Sequence, residues 1–236
     1  MIIITLGALI IILICFGLLE SYFHRLAISQ LPIRIHVNGS RGKSSVTRLI
    51  AAGLRAGGIK TLAKTTGTAP RIIDEKGTDG VIHRLRSASI GEQVKLLRTF
   101  SREKPDAVVM ECMAVSPQYQ WISEHRIIRS TLSVITNVRK DHIDEMGVSN
   151  KEIAYSLSNT IPFNSKVVTS EKNMLNPFEK IAQERNSTIE ISNENDITEL
   201  NFFTGMFDFS DDNQASGLLG MQHQNDELFR KSFLGK

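Results

Sequence analysis

Three short stretches carry residue types suited to phosphate chemistry. In Val37 to Ser45, VNGSRGKSS, Gly39 and Gly42 flank a tight loop, and Lys43 and Ser44 follow directly. The loop comes after a strand-like run and opens a helix-period run. That context turns successive backbone N–H groups and a helix N-terminus toward phosphate oxygens, where glycine avoids a Cβ clash. On this reading Gly39, Ser40, Arg41, Gly42, Lys43, Ser44 and Ser45 hold ATP, with Lys43 at the β and γ phosphates and the Ser44 hydroxyl on Mg²⁺. Val37 stands where the full G-x-x-x-x-G-K-[ST] pattern has its first glycine, so the loop is a shortened variant. A plain turn leading into a helix gives similar letters; the strand before it and the helix after it favour the phosphate loop.

The second stretch, AVVMECMA, places Glu111 near the carboxyl end of an otherwise apolar strand. Ligands of open α/β sheets bind beyond those ends, and a carboxylate there can hold Mg²⁺ against nucleotide phosphates. A solvated edge acid is the plainer alternative. The third, TNVRKDHIDEMG from Thr136 to Gly147, follows another apolar strand and gathers Asn137, Asp141, His142 and Asp144 on one loop. A surface loop with a few acids would look alike, but its place at a strand end puts it on the expected catalytic rim. KTTGTAPR, Lys64 to Arg71, adds Thr65, Thr66 and Thr68, whose hydroxyls suit a magnesium shell or a γ-phosphate, as they suit a polar turn.

These stretches need a scaffold, and the hydrophobic pattern supplies one. Strand-length runs (IRIHVNG, KTLAKTT, DAVVMECMA, STLSVITNV, KVVTS, STIEIS) alternate with helix-period runs (SSVTRLIAAGLRAGG, IGEQVKLLRTFSREK, KEIAYSLSNTI and a segment around Asn176 to Arg185). Strands alternating with helices imply an α/β domain with a mostly parallel sheet covered on both faces. Residues 33–200 form the expected ATP-binding domain, and 201–236 read as a tail without a clear βα unit.

Composition bounds the class. With 41% hydrophobic and 22% charged residues, the chain is neither disordered nor a polytopic membrane protein. A net charge of +3, with basic residues interleaved among acids, gives no warrant for nucleic acid. Cys15 and Cys112 lack metal-ligand or redox spacing and read as packing residues. From Ile2 to Leu19 no side chain is charged, close to the ~20 residues a membrane-crossing helix requires. No Lys or Arg precedes the run and no small-x-small site follows it, so a retained anchor over 1–20 fits better than a cleaved signal. Residues 21–32 read as a polar linker ending at Pro32. His24, Arg25, Arg34, Arg41 and Lys43 beyond the run place the domain in the cytoplasm, with a single-pass anchor in the cell membrane.

Taken together, NGSRGKSS, Glu111 in MECMA and TNVRKDHIDEMG resemble the central ATPase domain of the Mur ligase superfamily, which includes the folylpolyglutamate synthetases. With the anchor, KTTGT, IGEQ, ECMAVSPQYQ and SNTIPFN added, residues 1–213 resemble the membrane-associated synthetase subunit of poly-γ-glutamate capsule biosynthesis. The resemblance implies a Mur ligase-like fold and an ATP- and Mg²⁺-dependent amide ligase. Such an enzyme phosphorylates the γ-carboxyl of glutamate and couples it to a glutamate amine on a growing polymer. It further implies work beside other membrane subunits, in a homo- or hetero-oligomer.

Residue by residue, the resemblance carries Gly39, Gly42 and Lys43 onto the phosphate loop, and Ser44, Glu111 and His142 onto the metal. Thr66, Thr68, Asn137 and Asp141 are weaker matches, and Asn213 in FSDDN is matched to a nucleotide contact. Lys43, Glu111 and His142 are the implied catalytic set. There are two departures: IAYSLSNT offers no lysine for the carbamylated position of many Mur ligases, and the C-terminal domain that the resemblance implies is not expected within residues 201–236. The alternative is a membrane-tethered nucleotide-binding or scaffold subunit, inactive alone. An unrelated membrane-bound P-loop ATPase or kinase leaves the DH segment unexplained.

Overall fold

The computed structural model describes residues 1–67, 70–82 and 90–192. Its core is an eight-stranded sheet in the order β4-β3-β2-β5-β1-β6-β7-β8. The strands are β1 (Ile33–Asn38), β2 (Thr61–Thr65), β3 (Arg71–Ile73), β4 (Asp79–Val81), β5 (Ala107–Glu111), β6 (Leu132–Ile135), β7 (Lys166–Thr169) and β8 (Thr188–Ile191). From β2 to β8 all neighbours are parallel, as the alternating pattern predicts; β3 and β4 add an antiparallel edge.

The helices are α1 (Ile2–Ser29), α2 (Lys43–Ala56), α3 (Ile90–Glu103), α4 (Pro117–Ile122), α5 (Ile143–Met146), α6 (Asn150–Leu157) and α7 (Leu175–Glu184). A π-helical turn, Ser123–Ile128, prolongs α4. The start of α6 is fixed by a reciprocal cap: Ser149 Oγ accepts from Glu152 N at 3.2 Å, and Ser149 N donates to Glu152 Oε2 at 2.9 Å.

Strand order decides where the chemistry can lie. β1 sits between β5 and β6, so the chain leaves β1 at the point where the order of connection reverses. A crevice opens at such a switch point, beyond the carboxyl ends of the strands. The register pairs Val37 with Glu111 and Asn38 with Ile135, which brings the segments after β1, β5 and β6 onto one rim.

The two faces of the central strands bury different chemistry. Ile35 and Val37 of β1, Ala63 of β2 and Val109 of β5 pack with Ala51 and Leu54 of α2 in one apolar cluster. On the opposite face, Leu62, Val108 and Met110 pack with Leu97 and Phe100 of α3 and with Ile28 of α1. That second face also buries His36, Asn38 and Lys64. His36 Nδ1 lies 2.8 Å from Glu124 Oε2, and Asn38 Nδ2 donates to Gln120 Oε1 at 2.8 Å.

The expected linker over 21–32 is corrected. The helix runs unbroken to Ser29, because apolar residues keep helical spacing there and its last turns find a partner: Ala27, Ile28 and His24 are buried, and His24 Nε2 lies 2.8 Å from Ile127 O. Only Gln30 to Pro32 stand between helix and strand. The β3–β4 pair and α4 with its π-helical turn were not foreseen. Thr68 and Asn213, and the tail over 201–236, lie outside the described residues.

The buried His36–Glu124 pair gives a pH-dependent expectation. Burial alone pushes the imidazolium pKa down, but Cys112 and the Glu124 carboxylate outweigh it and raise it to about 9. A pKa raised on folding adds stability that is fully present below the unfolded value of 6.5 and is lost as pH climbs through about 9. Thermal unfolding of the detergent-solubilised chain should therefore show a falling midpoint across that window. Glu124→Gln, which leaves His36 and Ser130 short of an anionic acceptor, should cost about 3 kcal/mol and flatten the pH dependence.

Candidate functional site

The phosphate loop is built by its neighbours as much as by its own sequence. Ser40 N donates to Asn137 O at 3.0 Å, and Arg41 N to Asn137 Oδ1 at 3.2 Å. Thr136 Oγ1 and Asn137 Nδ2 both donate to Arg41 O, at 2.7 and 3.0 Å. Ser40 Oγ donates to Arg139 O and accepts from Arg139 N, each at 2.9 Å. The segment after β6 thus clasps the loop from Ser40 to Arg41.

Two glycines permit this. Gly39 has φ +134°, and a Cβ there would stand 2.0 Å from Thr136 Oγ1. Gly42 has φ +80° and caps α2 in a left-handed conformation, with open space where a Cβ would point. The first N–H groups of α2, at Lys43, Ser44 and Ser45, have no acceptor within the helix and face an anion site of this type.

Three side chains complete the loop's chemistry. Lys43 Nζ folds back onto Gly39 O at 2.7 Å and Ser40 O at 3.4 Å, holding a cation at the loop. Glu111, 3% exposed, accepts on a single oxygen, Oε2, from Ser44 Oγ at 2.8 Å and from Thr66 N at 2.7 Å. Gly67 approaches Ser44 closely enough that a Cβ would lie 3.5 Å from Ser44 Oγ. Ser44, Glu111 and the Thr66 backbone are therefore assembled as one cluster, as the sequence motifs require.

His142 stands elsewhere. Its imidazole is 55% exposed, lies 3.9 Å from Asp141 Oδ2, and has φ +45° at the start of α5. Asp141 in turn pairs with Arg41 Nε at 3.2 Å, so the DH segment reaches the loop through Asp141. Among the described residues no three His, Cys, Asp or Glu side chains converge as a metal cage. What fits a hard divalent cation is an oxygen pair, the Ser44 hydroxyl and the Glu111 carboxylate, beside the phosphate-binding N–H groups.

Lys64 was missed as a candidate. It is wholly buried, with Nζ 3.5 Å from Glu92 Oε1 and 3.8 Å from Met113 Sδ, two residues before Thr66. The available signal was a lysine inside the apolar run TLAKTT, where a solvated side chain has no place.

Beside the loop, a cavity of about 280 Å³ is lined by the carboxyl ends of β6 and β7. Val46, Val134 and Val168 give it an apolar wall, and Arg41, Thr136 and Asn137 a polar edge. This combination suits the flat, partly apolar body of a nucleoside whose phosphates rest on the loop.

The family profile described as the Mur ligase middle domain matches residues 37–231, most of the chain. The chain belongs to the Mur ligase family. It is 37% identical over 197 residues to the capsule biosynthesis protein CapB of Bacillus anthracis, covering 82% of this chain and 42% of that protein. It is 37% identical over 190 residues to the PGA synthase CapB of Bacillus subtilis strain 168, covering 80% of this chain and 48% of that protein. The chain therefore spans less than half the length of these curated relatives. Among solved structures, Escherichia coli FolC in complex with DHPP and ADP superposes with a TM-score of 0.57 at 16% identity, covering 73% of this chain and 46% of FolC. The Yersinia pestis bifunctional folylpolyglutamate synthase/dihydrofolate synthase complexed with AMPPNP and Mn ion superposes at 0.55 and 17% identity, with coverage of 73% and 46%. These superpositions establish the fold, a Mur ligase-like α/β domain preceded by an apolar helix.

The two glycines separate in their tolerance of a methyl group. Gly42→Ala meets no neighbour and should cost about 1 kcal/mol of folding stability, the expense of a left-handed alanine. Gly39→Ala must displace Thr136 and should cost distinctly more, with loss of the loop's clasp; chemical unfolding of the two variants side by side measures the difference.

Proposed function

We propose that this chain is the ATP-binding part of an ATP-dependent amide ligase that makes poly-γ-glutamate at the membrane. The observation that carries the reading is the union of Lys43, Ser44 and Glu111 at the switch point of the sheet, clasped by the TN-x-x-x-DH segment. Likeness to two CapB proteins, one of them a PGA synthase, supports the substrate class. ATP analogues and Mn in the folylpolyglutamate synthase complexes support the nucleotide and a divalent metal.

On this reading the Gly39–Ser45 loop and the first turn of α2 bind the nucleotide phosphates. Lys43 moves its ammonium from the loop carbonyls to the β and γ oxygens, and Asn137 holds the loop in register. Thr66 lies on the same rim through its backbone N–H on Glu111; Thr66 and Thr68 are assigned to the magnesium shell, and His142 to a second metal position. Asn213 is assigned to the nucleotide. A divalent cation on Ser44 and Glu111 would supply the positive charge that lets a γ-phosphoryl group meet an anionic carboxylate.

The reaction balances in two transfers. A γ-carboxylate oxygen of glutamate bonds to the γ-phosphorus as the bond to ADP breaks. The amine of a second glutamate then attacks the activated carbonyl carbon, phosphate departs, and the amine nitrogen loses a proton. The chain's contribution is electrostatic and positional, since phosphoryl transfer asks for little covalent work from a protein.

The N-terminal helix suits the location. It is the one described helix long and apolar enough to cross a membrane, and its apolar window is not buried against the domain. At 28 residues it extends about 42 Å. We assign it as a single-pass anchor with the domain in the cytoplasm, beside the other membrane subunits of capsule synthesis.

The test is phosphate release from ATP and Mg²⁺ by the solubilised chain, with and without glutamate and a short γ-glutamyl primer. Glutamate-stimulated release is expected, falling about 10²–10³-fold in Lys43→Ala. Binding of ATP without stimulation would replace this reading with that of a tethered nucleotide-binding subunit that works only in complex. Glu111→Gln should raise the Mg²⁺ needed for half-maximal release by about tenfold or more. Unaltered metal-dependent turnover in His142→Ala would remove His142 from the metal set.

A further inference from the structure

A groove of about 820 Å³ opens at the end of the sheet where the strands begin, away from the phosphate loop. Arg25 of α1, Arg34 of β1, and Arg126 and Arg129 at the π-helical turn line it, together with the rings of Trp121 and Phe163. Glu124 is the acid in its wall, and both its oxygens are committed. Oε1 accepts from Ser130 N and Oγ at 2.8 and 2.9 Å, and Oε2 pairs with His36. The groove is left strongly cationic.

The arginines are arranged for an outside partner. Arg34 is fixed within the wall, donating from Nε to Arg129 O at 2.9 Å and from Nη1 to Leu31 O. Arg25, Arg126 and Arg129 are exposed, and none of the three forms an ion pair among the described residues. The Arg126 guanidinium lies 5.5 Å from the Trp121 ring centre, which holds both side chains at the groove.

The position of the groove indicates the partner. The uncharged run ends at Leu19, and Arg25 follows about 9 Å further along the helix. Lipid headgroups extend about 5–7 Å beyond the hydrocarbon edge, within reach of an arginine side chain from that level. Tyr22 and Phe23, both exposed, occupy the turn between, where aromatic rings favour the membrane interface. We propose that this groove binds the headgroup of an anionic phospholipid, its phosphate taken by Arg25, Arg126 and Arg129. Trp121 and Phe163 then face the glycerol region. The proposal rests on α1 being a membrane span, and it adds a second, lipid-selective contact that sets how the domain is held against the bilayer.

Trp121 is the chain's single tryptophan, so its fluorescence reports the groove alone. The full chain is reconstituted in nanodiscs of phosphatidylcholine, or of phosphatidylcholine with phosphatidylglycerol, each carrying a headgroup spin-labelled lipid that quenches tryptophan. Quenching is expected to be stronger in the anionic discs and to weaken with salt. Arg25→Gln and Arg129→Asn should each lower the apparent affinity for phosphatidylglycerol about fivefold. Equal quenching in the two discs, or quenching indifferent to both substitutions, overturns the proposal. So does a response of Trp121 to added poly-γ-glutamate in neutral discs without any response to phosphatidylglycerol, which would make the polymer the occupant. A chain that fails to enter discs of either kind overturns the span and the groove together, whereas entry without anionic dependence overturns the groove alone.

Discussion

One carboxylate oxygen ties the site together. Glu111 Oε2 accepts from the Ser44 hydroxyl at the start of α2 and from the Thr66 backbone after β2, while Glu111 itself ends β5. A carboxylate so little exposed is costly unless its charge is met by donors, so both contacts are required by burial as well as available by geometry. Parallel register makes them available: Val37 lies opposite Glu111, and the chain turns into the phosphate loop two residues later. The loop after β1, the strand end of β5 and the loop after β2 thus hold one another. Any cation entering beside Ser44 finds its anionic partner already fixed.

The faces of the sheet divide the remaining work. Against α2 the strands bury a mainly apolar cluster, with Glu111 at its end bonded to Ser44, which holds the helix under the phosphate loop. On the other face the alternation of β1 places His36 and Asn38 inward, and each is met by a residue of the segment from α4 through the π-helical turn. Gln120 is the hub there, accepting from Asn38 and donating from Nε2 to Val115 O at 2.7 Å and Ser156 Oγ at 3.2 Å. A buried polar network of this kind tolerates few alternative packings, because each arrangement that breaks it strands a polar group. It fixes the segment after β5 in direction as well as in place.

What the sequence shows plainly is what local pattern encodes. The loop glycines, the strand-end position of Glu111 and the alternation of β and α runs all follow from neighbours in the chain, and the structure reproduces them. What escaped depends on distant contacts. The last turns of α1 contain enough polar residues to look like a linker, and only burial of Ala27 and Ile28 on the domain explains why they stay helical. β3 and β4 are three residues each, too short for a period of two to stand out. His142 shares a motif with Asp141, but spacing along a chain gives no bearing for a side chain, and it is Asp141 that reaches Arg41. Lys64 needed Glu92 and Met113 as neighbours before its burial made sense.

The polarity of a parallel sheet puts the foot of α1 and the phosphate loop at opposite ends of the domain. Strand β1 begins only three residues after α1 ends, so the foot of the helix and the arginine-lined groove share the sheet's amino-terminal end. The phosphate loop necessarily lies at the other end, six residues along β1, about 20 Å away at the rise of an extended strand. With α1 anchored as proposed, nucleotide and metal would work in water, out of reach of the headgroup phosphates that compete for the same kinds of donor. The distance between the helix foot and the loop is fixed by the rigid strand rather than by a flexible tether. An anchor joined by a loose linker could bring the rim onto the lipid surface; a helix that continues into the domain core, as α1 does, cannot.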